Sequence, residues 1–138
     1  MSRVTADSNI FISAFLRGGK PLELLELARA GQIELSISEN ILSEVGRVLG
    51  TKFRVSADDV QAFRDEICSL ATLVVPAETV DAVPGDDTDN RILECALAAG
   101  SNVIVSGDRH LLQLGEFRSI QIRQLADFLS TTEFGRTP

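Results

Sequence analysis

Near its start the chain reads Arg3-Val4-Thr5-Ala6-Asp7-Ser8-Asn9, a short extended stretch that ends in a carboxylate and a polar pair before a helical pattern begins. If Val4 to Ala6 form a central strand of a parallel sheet, Asp7 leaves that strand at its carboxyl end. Open α/β sheets bind their ligands at this edge. An Asp before a helix also fits a plain N-cap. The positions of the other acidic residues must therefore decide the role of Asp7.

A second strand near the end of the chain repeats this pattern. Asn102-Val103-Ile104-Val105 is the clearest core strand, and Ser106-Gly107-Asp108 follows it. Between the two lie helical patterns that alternate with further short strands, which we place at 33–37, 73–75 and, as an edge strand, 120–122. Strands that alternate with helices are typical of a parallel sheet covered on both faces. We therefore predict a three-layer α/β/α sandwich with a central, mainly parallel sheet.

Two local details belong to the same prediction. Arg17-Gly18-Gly19-Lys20 reads as a loop, and Pro21 is well placed as the first residue of the next helix. Cys68 and Cys95 each lie inside a helical pattern without CxxC spacing, so we expect two buried free thiols.

Composition limits the classes of function. A chain of 138 residues with 44% apolar and 24% charged residues fits one domain, which we place at residues 1–130 with a flexible tail at 131–138. The start is too polar for a signal peptide, and no apolar run reaches the roughly 18 residues of a membrane span, so we expect a cytoplasmic protein with no membrane partner. A net charge of -7 argues against a broad basic surface for nucleic acid, because such binding depends on neutralised phosphates. It does not exclude a protein that brings nucleic acid to metal-binding carboxylates.

Helical geometry distinguishes the acids that precede the helix carrying Ile92. At about 100° per residue, with Ile92 at zero, the apolar arc runs from about 0° to 140° and Asp89 falls near 60°, in its middle. Asp87 falls near 220°, on the opposite side. An Asp on the buried face at a helix start must cap the helix, face a cavity or bind a cation. Asp86 and Asp87 are close enough to share or replace the role of Asp89.

Glu44 is the fourth candidate acid. On the helix that begins after Ser38 it falls about 60° from Ile41, just off the buried edge. It can therefore look along the sheet surface, or it can be an ordinary solvated side chain.

The order of three segments, TADSNIFISAF, SENILSEVGRVL and DDTDNRILECALAAGSNVIVSGDRHLL, resembles the PIN-domain ribonucleases. Within that family it is most similar to the toxin components of bacterial and archaeal toxin–antitoxin pairs, and the resemblance extends to about Leu129. It implies an RNA substrate, a small antitoxin partner and a homodimer. It also implies metal ligands at Asp7, Asp89 and Asp108, with Glu44 as a further ligand or a positioner of water. Finally, it implies supporting hydrogen bonds from Asn9 and Ser106.

The chemistry explains why such a site needs a cation. Two carboxylates about 4 Å apart repel by about 4 kcal/mol at an effective dielectric near 20. Mg²⁺ or Mn²⁺ suits clustered carboxylates and also accepts phosphate oxygens. We therefore predict a Mg²⁺- or Mn²⁺-dependent endoribonuclease, with His110 at the surface or the substrate edge and not as a catalytic base.

Two other classes of function start from the same acids. A receiver-like signalling module binds Mg²⁺ through clustered acids and accepts a phosphoryl group on one of them. It would have a Lys after a late strand, where this chain offers Arg109 and His110. An Asp-based phosphatase would have a second Asp where Asn9 stands.

Overall fold

A six-stranded sheet lies at the centre of the structure, a computed structural model that describes residues 1–130. The strands are β1 (Ser2–Ala6), β2 (Ile33–Ser38), β3 (Ala71–Val74), β4 (Val103–Val105), β5 (Glu116–Phe117) and β6 (Ile120–Arg123). Their order in the sheet is β3-β2-β1-β4-β6-β5, and every pair is parallel except β5 with β6. The predicted mainly parallel sheet is confirmed. The tail predicted at 131–138 lies outside the described residues.

Helices cover the sheet. They are α1 (Ser8–Arg17), α2 (Gly19–Arg29), α3 (Glu39–Thr51), α4 (Ala57–Leu70), α5 (Asp87–Ala99), α6 (Arg109–Leu114) and α7 (Leu125–Leu129). All three residues of β4 and the last three of β1 are buried, as expected for strands covered on both faces. The fold is thus the predicted three-layer α/β/α sandwich. Within residues 1–130 the longest helix, α4, has 14 residues, and no helix is long and apolar enough to cross a membrane.

Local sequence signals set several helix boundaries. The Ser38 side chain accepts a hydrogen bond from the Ile41 amide at the start of α3, and the Ser56 side chain does the same for Asp59 at the start of α4. Gly100 ends α5 in the left-handed conformation, with φ +64°. These residues are the N-caps and the C-terminal glycine that the sequence indicates.

Four local predictions were wrong. Residues 17–20 do not form a loop, because Gly18, with φ +72°, turns the chain within one residue between α1 and α2. Pro21 is consequently the third residue of α2 and not the first. Strand β6 is not at the edge of the sheet, since the two-residue strand β5 pairs outside it. Both cysteines are free, but Cys68 is exposed and only Cys95 is buried.

The strand order determines where a site can form. Strand β1 lies between β2 and β4, so the chain runs to one side of β1 first and later returns to its other side. Such a switch point leaves a crevice outside the carboxyl ends of the two central strands. Asp7 follows β1, and Ser106 to Asp108 follow β4, so both polar segments lie at this crevice.

Candidate active site

A cavity of about 160 Å³ occupies the crevice at the carboxyl ends of β1 and β4. It brings together the four acids singled out in the sequence, Asp7, Glu44, Asp89 and Asp108, and it adds Asp86. The remaining lining residues come from α1, α3 and α5: Ser8, Asn9, Ile12, Val48 and Thr88. Asn9 is exposed at this cavity. Asp87 is also exposed and lines a neighbouring cavity instead, on the other side of Thr88.

Asp7 is both a helix cap and a cavity residue. Its Oδ1 accepts a hydrogen bond from the Ile10 amide at 3.1 Å, which caps α1, and its Oδ2 accepts one from the Ser106 hydroxyl. The side chain is buried, with 5% of the residue exposed. Burial raises the pKa of Asp7, because desolvation of the charged form outweighs the hydrogen bonds that favour it. Asp7 is therefore the N-cap that the sequence allowed, and it also lies at the cavity on the carboxyl edge of the sheet.

Ser106 connects the first acid to the last. While its hydroxyl donates to Asp7, its Oγ accepts a hydrogen bond from the Asp108 amide at 2.9 Å. Asp108 then caps α6 through Oδ1, which accepts from the His110 amide at 2.8 Å and from the Leu111 amide at 3.2 Å. These hydrogen bonds connect the segment that follows β1 to the segment that follows β4.

Asp89 is the least compensated acid of the cavity. It is only 3% exposed, and its Oδ2 has no hydrogen-bond partner within residues 1–130. Desolvation, followed by the contacts with Asp108 and Asp86, raises the pKa of Asp89 to about 8. The helical geometry of the sequence had placed this side chain on the buried face of α5. A bound cation would relieve a buried carboxylate that lies beside two others and has one oxygen without a hydrogen-bond partner.

Asp86 and Glu44 are held at the rim. The Oδ1 of Asp86 accepts a hydrogen bond from the Asp89 amide at 3.1 Å and caps α5, and this bond is the main reason why the pKa of Asp86 is lowered. The carboxylate of Glu44 accepts hydrogen bonds from the Ser8 hydroxyl and, at 3.4 Å, from the Thr88 hydroxyl. Arg47 lies 3.5 Å from the same carboxylate. Glu44 thus faces the cavity and not bulk solvent, with 22% of its side chain exposed.

Two contacts at this site were not predicted from the sequence, which placed His110 only at the surface or the substrate edge. His110 turns back from α6 so that its Nδ1 lies 3.3 Å from the Oδ2 of Asp86. Asn90 fixes the segment before α5, because its side chain accepts from the Val83 amide and donates to the Val83 carbonyl, both at 2.9 Å. The only sequence signal for Asn90 was its place at the margin of the apolar arc of α5. His110 gave no signal beyond being the single histidine.

The donor set fits a divalent cation. Asp86, Asp89, Asp108 and His110 each offer one ligand atom, and these four atoms lie within 4.8 Å of one another. Carboxylate oxygens in this density suit a hard ion such as Mg²⁺ or Mn²⁺. The partnerless oxygen of Asp89 supports the same conclusion from a separate observation.

Comparison with known protein families assigns the chain to a family. The sequence model of the family described as the PIN domain matches residues 3–110, which is most of the chain and includes every acid of the cavity. No curated protein matches the chain.

Proposed function

Because this chain belongs to the PIN-domain family, we propose that it is a Mg²⁺- or Mn²⁺-dependent endoribonuclease that hydrolyses phosphodiester bonds of RNA at the acidic cavity. The family indicates a metal-dependent nuclease. The choice of RNA as substrate comes from the resemblance of the motifs to the ribonuclease members of the family.

One observation carries the proposal, namely the state of Asp89. Its carboxylate is buried beside Asp86 and Asp108, its Oδ2 has no partner within the described residues, and its pKa is raised to about 8. Burial of a charged carboxylate destabilises the fold unless a cation or a proton compensates the charge. Structural acids elsewhere on the chain, such as Glu94, are paired instead, in that case with Arg91 at 2.7 Å.

The acids of the cavity would have two roles, metal binding and the positioning of water. Asp7, Asp89 and Asp108 would hold the cation, directly or through water, and Asp86 would be a further ligand. A bound divalent cation would supply a water of lowered pKa and neutralise charge that develops on the phosphorus oxygens. Glu44, fixed by Ser8 and Thr88, would position the attacking water.

Supporting groups would keep these side chains oriented. Ser106 holds the Asp7 carboxylate and the backbone amide of Asp108 together, while the Asp108 carboxylate is oriented by the amides of His110 and Leu111. Asn9 lies exposed at the cavity, where its amide can donate to a substrate or to a neighbouring ligand.

The biological role we propose is that of the toxin in a toxin–antitoxin pair, acting in the cytoplasm as a homodimer. Support comes from the order of the three motif segments, which is most similar to that group of the family. A small antitoxin would then cover the acidic cavity. A short open reading frame next to this one, whose product co-purifies with the chain and inhibits its cleavage of RNA, is the expected finding.

The enzymatic proposal is tested by RNA cleavage with purified protein, with Mn²⁺, with Mg²⁺ and with a chelator. We expect cleavage only with metal, and a loss of about a hundredfold or more in Asp7→Asn and in Asp89→Asn with an unchanged circular dichroism spectrum. Asp87→Asn is the matched control, because Asp87 is on the same turn of α5 as Asp89 but outside the cavity, and it should keep its activity within about twofold.

Two results would contradict the proposal. Full activity in Asp89→Asn would remove this acid from the site. Stable phosphorylation by a small phosphodonor, without any nuclease activity, would favour the receiver-like alternative.

A further inference from the structure

His110 lies at the edge of the acidic cavity without a role in the proposed hydrolysis. It is the second residue of α6, and about half of its side chain is exposed. Its Nδ1 lies 3.3 Å from the Oδ2 of Asp86, which lines the cavity. An exposed histidine has no need of this position for packing, so its approach to the acids requires a different reason.

The distances around His110 match a coordination sphere. One ligand atom each from Asp86, Asp89, Asp108 and His110 lies within 4.8 Å of the other three. An octahedral ion with bonds of about 2.1 Å separates its neighbouring donors by about 3 Å and its opposite donors by about 4.2 Å. The four side chains can therefore reach one ion with small changes of rotamer.

A second, independent observation points to a ligand at this position. Asp89 is 97% buried, one of its carboxylate oxygens belongs to this group of ligand atoms, and its Oδ2 has no hydrogen-bond partner within residues 1–130. The acids alone would be a cluster of charges. The partnerless oxygen leaves one buried acceptor of the cluster open to a positively charged ligand.

We propose that His110 is a nitrogen ligand of the cation held by Asp86, Asp89 and Asp108, and that it makes the site favour a transition ion such as Mn²⁺ over Mg²⁺. This inference rests on the proposed metal-dependent function. The preference follows from ligand chemistry, because Mg²⁺ strongly favours oxygen donors and water, whereas imidazole is a good ligand for first-row transition ions. The alternative is that His110 only orients Asp86 through a hydrogen bond and never contacts the ion.

The single histidine allows a direct test. Mn²⁺ is added to untagged protein and the electron spin echo modulation is recorded, once with natural histidine and once with ¹⁵N-histidine. We expect a nitrogen coupling typical of a coordinated imidazole that changes from ¹⁴N to ¹⁵N on labelling. Since His110 is the only histidine in the chain, this change can come from no other residue. Bound Mn²⁺ with a spectrum that labelling does not alter would overturn the proposal.

Calorimetric binding of each metal ion separates coordination from positioning. In His110→Ala we expect the affinity for Mn²⁺ to fall by about tenfold or more, and the affinity for Mg²⁺ to change by less than about threefold. The matched control is Gln113→Ala, an exposed position one turn further along α6, which should change neither affinity. An equal loss for both ions in His110→Ala would mean that His110 acts only on Asp86, and the proposal would be wrong.

The same experiments distinguish this inference from the proposed function. If wild-type protein binds Mn²⁺ and cleaves RNA but shows no histidine coupling, only the role of His110 fails. If it binds neither ion and cleaves no RNA, the metal-dependent function fails and the role of His110 fails with it.

Discussion

The charge of Asp89 lowers the stability of the metal-free protein, whereas a bound cation would compensate that charge. The pKa of Asp89 is about 8 in the folded chain, against 3.8 for an ordinary Asp. Between about pH 4 and pH 8, Asp89 is therefore protonated in the folded state and ionised in the unfolded state. Stability of the metal-free protein must therefore fall as the pH rises through this window, because the unfolded state binds fewer protons. A bound cation reverses the preference by favouring the charged carboxylate.

This argument predicts that Asp89→Asn stabilises the protein when metal is absent. With a chelator at pH 8, we expect the free energy of unfolding to rise by about 2 kcal/mol, since the amide removes a charge that is buried beside Asp86 and Asp108. At pH 4 the gain should nearly vanish, because the wild-type carboxyl is then neutral in the fold. Urea unfolding at both pH values measures the difference.

Asp87→Asn again provides the control, because Asp87 is exposed on the same turn and its substitution should leave stability unchanged at both pH values. A destabilised Asp89→Asn at pH 8 without metal would show that the charge of Asp89 is compensated inside the fold, and the case for a cation would lose its main support.

At the scale of elements, the cavity is built from three helix N-termini. Asp7, Asp86 and Asp108 are the N-caps of α1, α5 and α6, and each uses its Oδ1 to accept from the first amides of its helix. The positive end of a helix dipole favours a nearby negative charge. Capping therefore orients the carboxylates and lowers the cost of gathering them, while the Oδ2 atoms of Asp7 and Asp86 face Ser106 and His110.

The segment that leads into α5 has its own anchor. Asn90 forms two hydrogen bonds with Val83, and the buried Glu94 accepts one from the Val80 amide at 2.8 Å. These contacts hold residues 80–86 against α5 and so hold Asp86 at the cavity. Arg91 adds a longer hydrogen bond, from its Nη2 to the Val80 carbonyl at 3.4 Å.

We predict that Asn90→Ala releases this segment. Loss of two buried hydrogen bonds should lower the free energy of unfolding by about 2 kcal/mol and speed amide hydrogen exchange at Val83, because its N–H would lose its acceptor. Hydrogen exchange measured by mass spectrometry or NMR reports the change. The control is Asn40→Ala, an exposed asparagine in the first turn of α3, which should alter exchange little. Unchanged exchange at Val83 in Asn90→Ala would mean that other contacts fix the segment.

These contacts also separate the features of the site that could be predicted from the sequence from those that could not. The strand that ends at Asp7, the strand that ends at Ser106 and the helical phase of Asp89 are local patterns, so the sheet and the depth of that acid could be predicted from them. The contact of His110 with Asp86 depends on how residues 80–86 fold back onto Asn90 and Glu94, and no local pattern describes that contact. Strand β5 was missed for a related reason, because two residues are too few to show an alternation of apolar and polar side chains.

At the scale of the whole molecule, charge limits how RNA can be held. The chain has 13 Lys and Arg against 20 Asp and Glu. Several of the basic side chains are already paired with acids in the described part of the chain: Arg29, Arg47, Arg64, Arg91 and Arg118. The other eight Lys and Arg residues of the sequence are outnumbered by the acids, so we expect the cation at the acidic cavity to supply much of the attraction for the proposed RNA substrate.

The dependence of cleavage on monovalent salt tests this balance. Each phosphate neutralised by a basic side chain contributes a slope of about -0.7 to log affinity against log salt for a single strand. We expect about two such contacts, in which case kcat/KM at a fixed Mn²⁺ concentration should fall by less than about tenfold between about 50 and 200 mM KCl. Removal of Mn²⁺ at constant ionic strength should instead abolish cleavage. A loss of about a thousandfold over the same range of KCl would require about seven phosphate contacts, and the RNA would then be held by a basic surface and not chiefly by the cation.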